Sequence, residues 1–367
     1  MEAINAIWLS ERVGVATRTM DTLLKAFGSC DAVYAAEKSD LINAGVTNEK
    51  TLKALLDKEL KTAQDTLERC ERLAIRVIPY GSEEYPERLA NIYSPPALLY
   101  AQGEPLDADH RPLIAVVGTR DCTEYGRKAA YNVAGRLAAR GFCVVSGLAV
   151  GIDAAALAGA VRADGRTVGV LGCGLAKNYP AENYGLRRAM MKKGTVISEY
   201  APMSKISKGN FPLRNRIMAG ISVGTLVVEA PENSGALITA NYALEYGRDV
   251  FAVPGNINSY ESVGSNRLIR DGAVAVTDVD DIVREYIQLF PDLARKPEKR
   301  EKTADAVPDS ELTEKERRVL AALTQEPVPL DEILIKTGMN VQELLSLLSI
   351  LEIKGKCVSH PMKKFSL

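Results

Sequence analysis

The run Leu113-Ile114-Ala115-Val116-Val117 ends in Gly118-Thr119-Arg120, gives way to the Ala-, Leu- and Arg-rich stretch from Arg127 to Arg140, and resumes as Phe142-Cys143-Val144-Val145-Ser146-Gly147. The apolar runs have the length of buried strands, and the stretch between them has the length of a crossover helix. Further strand-like runs follow at Thr167 to Leu171, Thr195 to Ile197, Thr225 to Val228, Val250 to Val253 and Ala273 to Val276, with helical patterns such as Ile238 to Tyr246 between most of them. Strand, helix, strand at this spacing builds βαβ units. The stretch from Pro112 to Val283 is therefore expected to be an α/β domain, a Rossmann-like parallel sheet with helices on both faces.

On the N-terminal side, residues 1–74 read as a small module of short helices, with Gly28-Ser29 and Gly45-Val46-Thr47 as stop and start signals and a long polar helix from about Asn48 to Ala74. Ile75 to Ile78 is a short strand candidate. Tyr80 to Gly103 carries Pro86, Pro95 and Pro96 and is expected to be a connector without long regular elements, so the central domain with its connector spans residues 75–290. On the C-terminal side, Pro291 to Ser310 is charged and almost free of large apolar residues after Leu293, the composition of a flexible linker. Residues 311–367 then show amphipathic stretches at Thr313 to Thr324, Leu330 to Thr337 and Val341 to Ile350, followed by Cys357 to His360 and Lys364 to Leu367. Three helices and a small ribbon suggest a winged helix.

Bulk properties narrow the function. The 367 residues carry a net charge of -1, so any nucleic-acid surface has to be local. Six scattered cysteines without a Cys-x-x-Cys pair fit free thiols in a reducing, cytoplasmic compartment, and no apolar run reaches membrane-span length. The two histidines, His110 and His360, lie outside the glycine-rich core. Ser-His and Cys-His catalysis and a His-ligated zinc site are thereby excluded from it, and no metal is expected.

In an open parallel sheet, ligands bind outside the carboxyl ends of the strands. Those ends here read Gly118-Thr119-Arg120, Ser146-Gly147-Leu148-Ala149-Val150-Gly151-Ile152-Asp153, Gly172-Cys173-Gly174, and Glu229 followed by Ser234-Gly235-Ala236. One such turn says only that the chain bends tightly. Four on one sheet edge point to backbone N–H groups and helix N-termini gathered around phosphate. No Gly-x-Gly-x-x-Gly with a ribose-binding acid and no Gly-x-x-x-x-Gly-Lys-Ser/Thr occurs, so neither a dinucleotide nor a hydrolysed nucleotide cofactor is expected.

Lys205 to Arg216 sets Lys205, Lys208, Arg214 and Arg216 around Phe211, Asn210 and Asn215. Cations for the backbone, an aromatic face for a base and amides for base edges are the mixture a single-strand binder needs. The competing reading is a solvated loop with Phe211-Pro212 as a plug and the arginines paired with carboxylates. Arg120 points toward the same edge, and Arg267 and Arg270 are candidates for its rim. Asp153 is expected to cap the helix beginning near it. Glu229 would either orient Arg214 or Arg216, or act as a general base.

Taken in order, Gly118-Thr119-Arg120, Ser146-Gly147-Leu148-Ala149 with Gly151-Ile152-Asp153, Phe211-Pro212-Leu213-Arg214-Asn215-Arg216-Ile217, Ser234-Gly235-Ala236 with Thr239-Ala240, Val253-Pro254-Gly255 and Gly264-Ser265-Asn266 with Leu268-Ile269 and Gly272-Ala273 resemble the DNA-processing protein A (DprA/Smf) family. The resemblance implies binding of single-stranded DNA without sequence preference, a homodimer formed through the Rossmann-like domain, and loading of the RecA recombinase during natural transformation. It implies a DNA pocket of Arg120, Ser146, Gly147, Lys208, Phe211, Arg214, Asn215 and Arg216, beside Gly118, Thr119, Ser234 and Gly235 from the glycine turns. Leu157 stands where the family often has a histidine after Gly-Ile-Asp-x-x-Ala. Residues 1–74 are compatible with the family's sterile-alpha-motif-like or helix-hairpin-helix module, although a packing or interaction domain is the better reading of the residues.

Three functions compete at this point: a non-enzymatic single-strand binder without catalytic residues, a nucleotide-processing enzyme using Glu229, and a scaffold with a vestigial pocket. The missing histidines and the aromatic-basic segment favour the first. Reversal of Arg120 or Arg214 to Glu is expected to abolish oligo-dT binding with the fold intact. From residue 311 onward eight Lys and Arg balance eight Asp and Glu, and Val341 to Ile350 contains no Lys or Arg, so the tail is not expected to bind duplex DNA by itself.

Overall fold

The structure, a computed structural model, describes residues 1–294, 313–324, 326–353, 356–360 and 364–366. The chain divides into two compact units, Met1–Lys296 and Pro297–Leu367.

Unit 1 begins with helices α1 (Glu2–Val13), α2 (Arg18–Phe27), α3 (Cys30–Ala35), α4 (Lys38–Asn43), α5 (Glu49–Leu56) and α6 (Lys61–Arg72). The single long helix expected from Asn48 to Ala74 is two. Asn48 caps the first as its side chain accepts from Thr51 N, but the Asp57 carbonyl accepts from Trp8 Nε1 at 3.0 Å and the Asp57 carboxylate accepts from Glu59 N, which breaks the chain between α5 and α6. Trp8, Leu9, Leu23 and Leu24 are buried in a core cluster that continues into the sheet layer, where it includes Leu98, Tyr100 and Val116.

The sheet follows as β1 (Arg76–Pro79), α7 (Glu87–Ala90), β2 (Leu98–Gly103), β3 (Leu113–Val117), α8 (Glu124–Ala139), β4 (Cys143–Ser146), α9 (Ile152–Arg162), β5 (Thr167–Val170), α10 (Tyr184–Met190) and β6 (Thr195–Ser198). It is completed by α11 (Asn210–Ile221), β7 (Gly224–Val227), α12 (Gly235–Glu245), β8 (Asp249–Ala252), α13 (Val263–Arg270), β9 (Val274–Ala275) and α14 (Asp280–Tyr286). The nine strands lie in the order β1-β2-β6-β5-β4-β3-β7-β8-β9, parallel from β6 to β9. The Rossmann-like α/β expectation is met, and every strand predicted between Leu113 and Val276 is present.

The connector holds no element longer than six residues, as its prolines imply, but part of it joins the sheet. Its prolines precede a six-residue strand rather than prevent one: β2 pairs antiparallel with β1 on one side and with β6 on the other, extending the sheet beyond its parallel part. Leu98, Leu99, Tyr100 and Ala101 are all buried, so both faces of this strand are covered. At the far end, Pro291–Ala294 forms a 3-10 turn with Leu293 buried and its carbonyl accepting from Arg140 Nε, so these four residues belong to unit 1. The rest of the expected linker, residues 295–310, lies outside the described residues.

Unit 2 contains α15 (Glu314–Ala322), β10 (Val328–Pro329), α16 (Leu330–Thr337), α17 (Val341–Ile353), β11 (Val358–His360) and β12 (Lys364–Ser366). Thr313 and Glu316 close a capping box at the start of α15. Val319, Ile333, Leu344, Leu348 and Leu351 form the core under a small sheet ordered β10-β12-β11. This is a winged helix, as the sequence suggests, with β10 as an additional strand.

Candidate nucleic-acid interface

The carboxyl ends of the parallel strands open into a cleft of about 650 Å³. Gly118, Thr119 and Arg120 leave β3 on its floor. Lys208, Phe211, Arg214 and Asn215 enter from the segment leading into α11 and from the helix itself, and Ser234 and Gly235 come from the start of α12. Gly147 lines a smaller adjoining cavity behind Phe211. Ser146 and Arg216 line neither. The Ser146 hydroxyl is fully buried and donates to the Val116 carbonyl at 2.7 Å, and Arg216 is 3% exposed and ion-paired with the equally buried Glu199.

The segment read as a basic loop is a helix from Asn210 onward. Pro212 sits in its first turn, where the absent N–H has no partner to lose. Successive helical residues are about 100° apart, so positions 214 and 216 face opposite directions. Arg214 turns to the sheet edge, and Arg216 turns away from it into the core.

Arg214 is itself buried. Its guanidinium donates to the carbonyls of Gly147, at 2.8 Å, and Val170, and its Nε donates to Asn215 Oδ1. A Cβ at position 147 would collide with the Arg214 guanidinium, so glycine is required for this approach. Asp153 faces the guanidinium and accepts from Gly147 N at 3.1 Å. It does not cap α9, whose N-cap is Gly151. Burial pushes the Asp153 carboxyl above its usual range while the Arg214 charge opposes the shift, and burial lowers the Arg214 guanidinium.

Glu229 is 1% exposed and accepts from Thr123 N at 2.9 Å and from Thr123 Oγ1 at 2.5 Å. It fixes the residue that caps α8; it neither orients Arg214 or Arg216 nor offers a carboxylate to the cleft for base catalysis. Arg267 and Arg270 both pair with Asp271 and do not line the cleft, and Lys205 does not line it either.

Among the described residues, the exposed cations that line the cleft are Arg120 and Lys208. The Arg120 guanidinium lies 5.7 Å from the centre of the Phe211 ring, and Tyr179 tilts against that ring at 5.5 Å. Asn215 Nδ2 donates to the Gly235 carbonyl, tying α11 to the first turn of α12. Thr239, one turn further along α12, also lines the cleft, and its hydroxyl is buried without a partner.

Tyr179, Tyr260 and Thr239 were not singled out by sequence reasoning as site residues. Tyr179-Pro180 follows the third glycine turn and could have been noticed as a strand-end aromatic; Tyr260 lies in a polar loop with no local signal. Among the described residues no three His, Cys, Asp or Glu side chains gather as a metal site, and no helix is long and apolar enough to cross a membrane.

Comparison with known proteins gives this geometry its context. The family model described as DNA recombination-mediator protein A matches residues 76–287, and that of the DprA winged helix domain matches residues 303–361. The DNA processing protein DprA of Bacillus subtilis is 40% identical over 65% of this chain and 82% of its own length. Protein Smf of Escherichia coli is 36% identical over 82% of this chain and 80% of its own. The X-ray structure of DNA processing protein A from Streptococcus pneumoniae superposes with a TM-score of 0.69 at 33% identity, covering 78% of this chain and 99% of that one. A solved structure of DNA processing protein A from Helicobacter pylori, described for its single-stranded DNA binding mode, superposes with a TM-score of 0.53 at 27% identity, covering 58% and 96%. The six ordered motifs, the nine-stranded sheet and the winged helix agree with these matches, and the chain belongs to the DNA recombination-mediator protein A (DprA/Smf) family.

Proposed function

We propose that the cleft binds single-stranded DNA without sequence preference, that the chain acts as a homodimer in the cytoplasm, and that it passes the strand to the RecA recombinase during natural transformation. It does so as a binder, not an enzyme. The observation carrying this reading is the convergence of exposed Arg120 and Lys208 with an aromatic pair, Phe211 and Tyr179, at one sheet edge. Cations take the phosphates and rings take the bases, and neither reads sequence. The single-stranded DNA binding mode of the Helicobacter pylori relative supports the same assignment. Gly118 and Gly235 would offer backbone donors, Thr119 and Ser234 their hydroxyls, since their backbone N–H groups donate to the Glu229 and Pro231 carbonyls, and Asn215 its side-chain amide. Ser146, Gly147, Arg214 and Arg216 would act by shaping the wall.

The test is oligo-dT affinity as a function of salt. Two phosphate contacts, at about -0.7 each for single strands, predict a slope of log K against log salt near -1.4, with similar affinities for oligonucleotides of different sequence. A flat response overturns the reading.

Unit 2 is expected to contribute little to this affinity, since its charges balance from residue 311 onward and α17 carries no Lys or Arg. Because Leu293 is part of the unit 1 core, the informative truncation begins at residue 297, not 291. That truncated chain should bind oligo-dT within about twofold of the full chain; a loss of tenfold would place a DNA contact in unit 2.

A further inference from the structure

Phe211 is not the free stacking surface that its place in the sequence suggests. Its ring packs over Gly172, where a Cβ would come within 2.9 Å of Phe211 Cδ1, and it is flanked by Tyr179 and by the Arg120 guanidinium. The open aromatic surface of the cleft belongs to two other residues, Tyr179 at 36% exposure and Tyr260 at 63%. Exposed tyrosines are ordinary on protein surfaces. Tyr125, for example, is 53% exposed, does not line this cleft and donates its hydroxyl to the Pro254 carbonyl.

What sets Tyr179 and Tyr260 apart is their placement. Tyr179 lies in the loop after β5 and Tyr260 in the 3-10 turn after β8, and the strands between them run in the order β5-β4-β3-β7-β8. The two rings therefore stand at opposite ends of the cleft, with Arg120 after the central strand β3. Four interstrand steps of about 4.8 Å separate the strands that lead to them, roughly 19 Å. A stacked single strand rising about 3.4 Å per nucleotide covers that distance in about six nucleotides.

We propose that Tyr179 and Tyr260 are base-stacking posts at the two ends of the cleft, so that a bound single strand crosses the sheet edge from the β5 side to the β8 side with a phosphate at Arg120 between them and another at Lys208. The proposal rests on the reading of the cleft as a single-strand site. Phe211 buttresses the first post, and among the described residues no other ring packs against Tyr260, the second. Base stacking on an aromatic side chain is indifferent to base identity, so two posts add affinity and length dependence without adding sequence preference.

The experiment compares oligo-dT with an abasic oligonucleotide of the same length and charge, for the full chain and for Tyr179→Leu, Tyr260→Ala and the corresponding Phe variants. Tyr179→Leu retains an apolar side chain against Phe211 and removes the stacking face. Each of Tyr179→Leu and Tyr260→Ala should lose about tenfold in oligo-dT affinity and almost nothing on the abasic strand, whereas the Phe variants keep both. Wild-type oligo-dT affinity in Tyr179→Leu and Tyr260→Ala, or equal losses on the two strands, overturns the posts. Arg120→Glu serves as the reference. If it weakens binding while the tyrosine variants do not, the posts fail and the cleft stands; if it binds like wild type, cleft and posts fall together.

Discussion

Substituting Arg214 by Glu should melt unit 1 about 6–20 °C early, not simply empty the cleft. The sequence places Arg214 among exposed DNA-contacting cations, where reversal would spare the fold. In the folded chain it is a structural residue first. At 4% exposure it donates to the Gly147 carbonyl just after β4 and the Val170 carbonyl that ends β5, and it faces Asp153, which is 6% exposed. Glu at this position leaves those carbonyls without their donor and sets a second carboxylate beside the first. Breaking a buried charge pairing costs about 3–5 kcal/mol, out of a typical total stability of about 5–15 kcal/mol. For a unit of this size each kcal/mol moves the midpoint by about 2–4 °C. Thermal unfolding followed by far-UV circular dichroism reads the result, and a wild-type midpoint would show that the buried guanidinium is dispensable. Arg214→Met, which removes the charge without adding a carboxylate, should fall between the two.

That prediction marks where the sequence stopped being legible. The parallel strands announce themselves because both faces are buried and their apolar runs are unbroken, as in Leu113 to Val117. Strand β2 is hidden because three prolines precede it, and nothing in a single sequence says that Leu98 to Gly103 will find a partner on each side. The glycine turns are equally plain, because glycine at a strand end has few other uses. Side-chain direction is what composition conceals. Arg214-Asn215-Arg216 reads as one basic cluster, yet a helix turns its first and third members apart, and only the fold reveals Glu199 waiting for Arg216. Ser146 is lost to the cleft for the same reason: its hydroxyl is satisfied by the neighbouring strand. Tyr260 carried no signal, since its relation to Tyr179 exists only through a strand order that no local pattern encodes.

Arg120→Glu, by contrast, should lower oligo-dT affinity by about a hundredfold or more with the melting midpoint nearly unchanged. Arg120 is exposed and its guanidinium lies over the Phe211 ring, 5.7 Å from its centre, so its replacement leaves no buried hydrogen-bonding group without a partner. Exposed substitutions of this kind usually change stability by less than about 0.5 kcal/mol. Its effect on binding is larger because a charge-assisted contact to phosphate, worth about 1.5–3 kcal/mol, is lost and a repulsion takes its place. Fluorescence anisotropy with labelled oligo-dT measures the loss, and undiminished affinity would overturn the assignment of the cleft as the DNA site. The salt response then separates two ways in which Arg120 could act. If it holds a phosphate, the variant's slope of log K against log salt shrinks by about 0.7, one single-strand contact. If it acts only by bracing Phe211, affinity falls while the slope stays where it was, and the cation that follows the backbone must be Lys208.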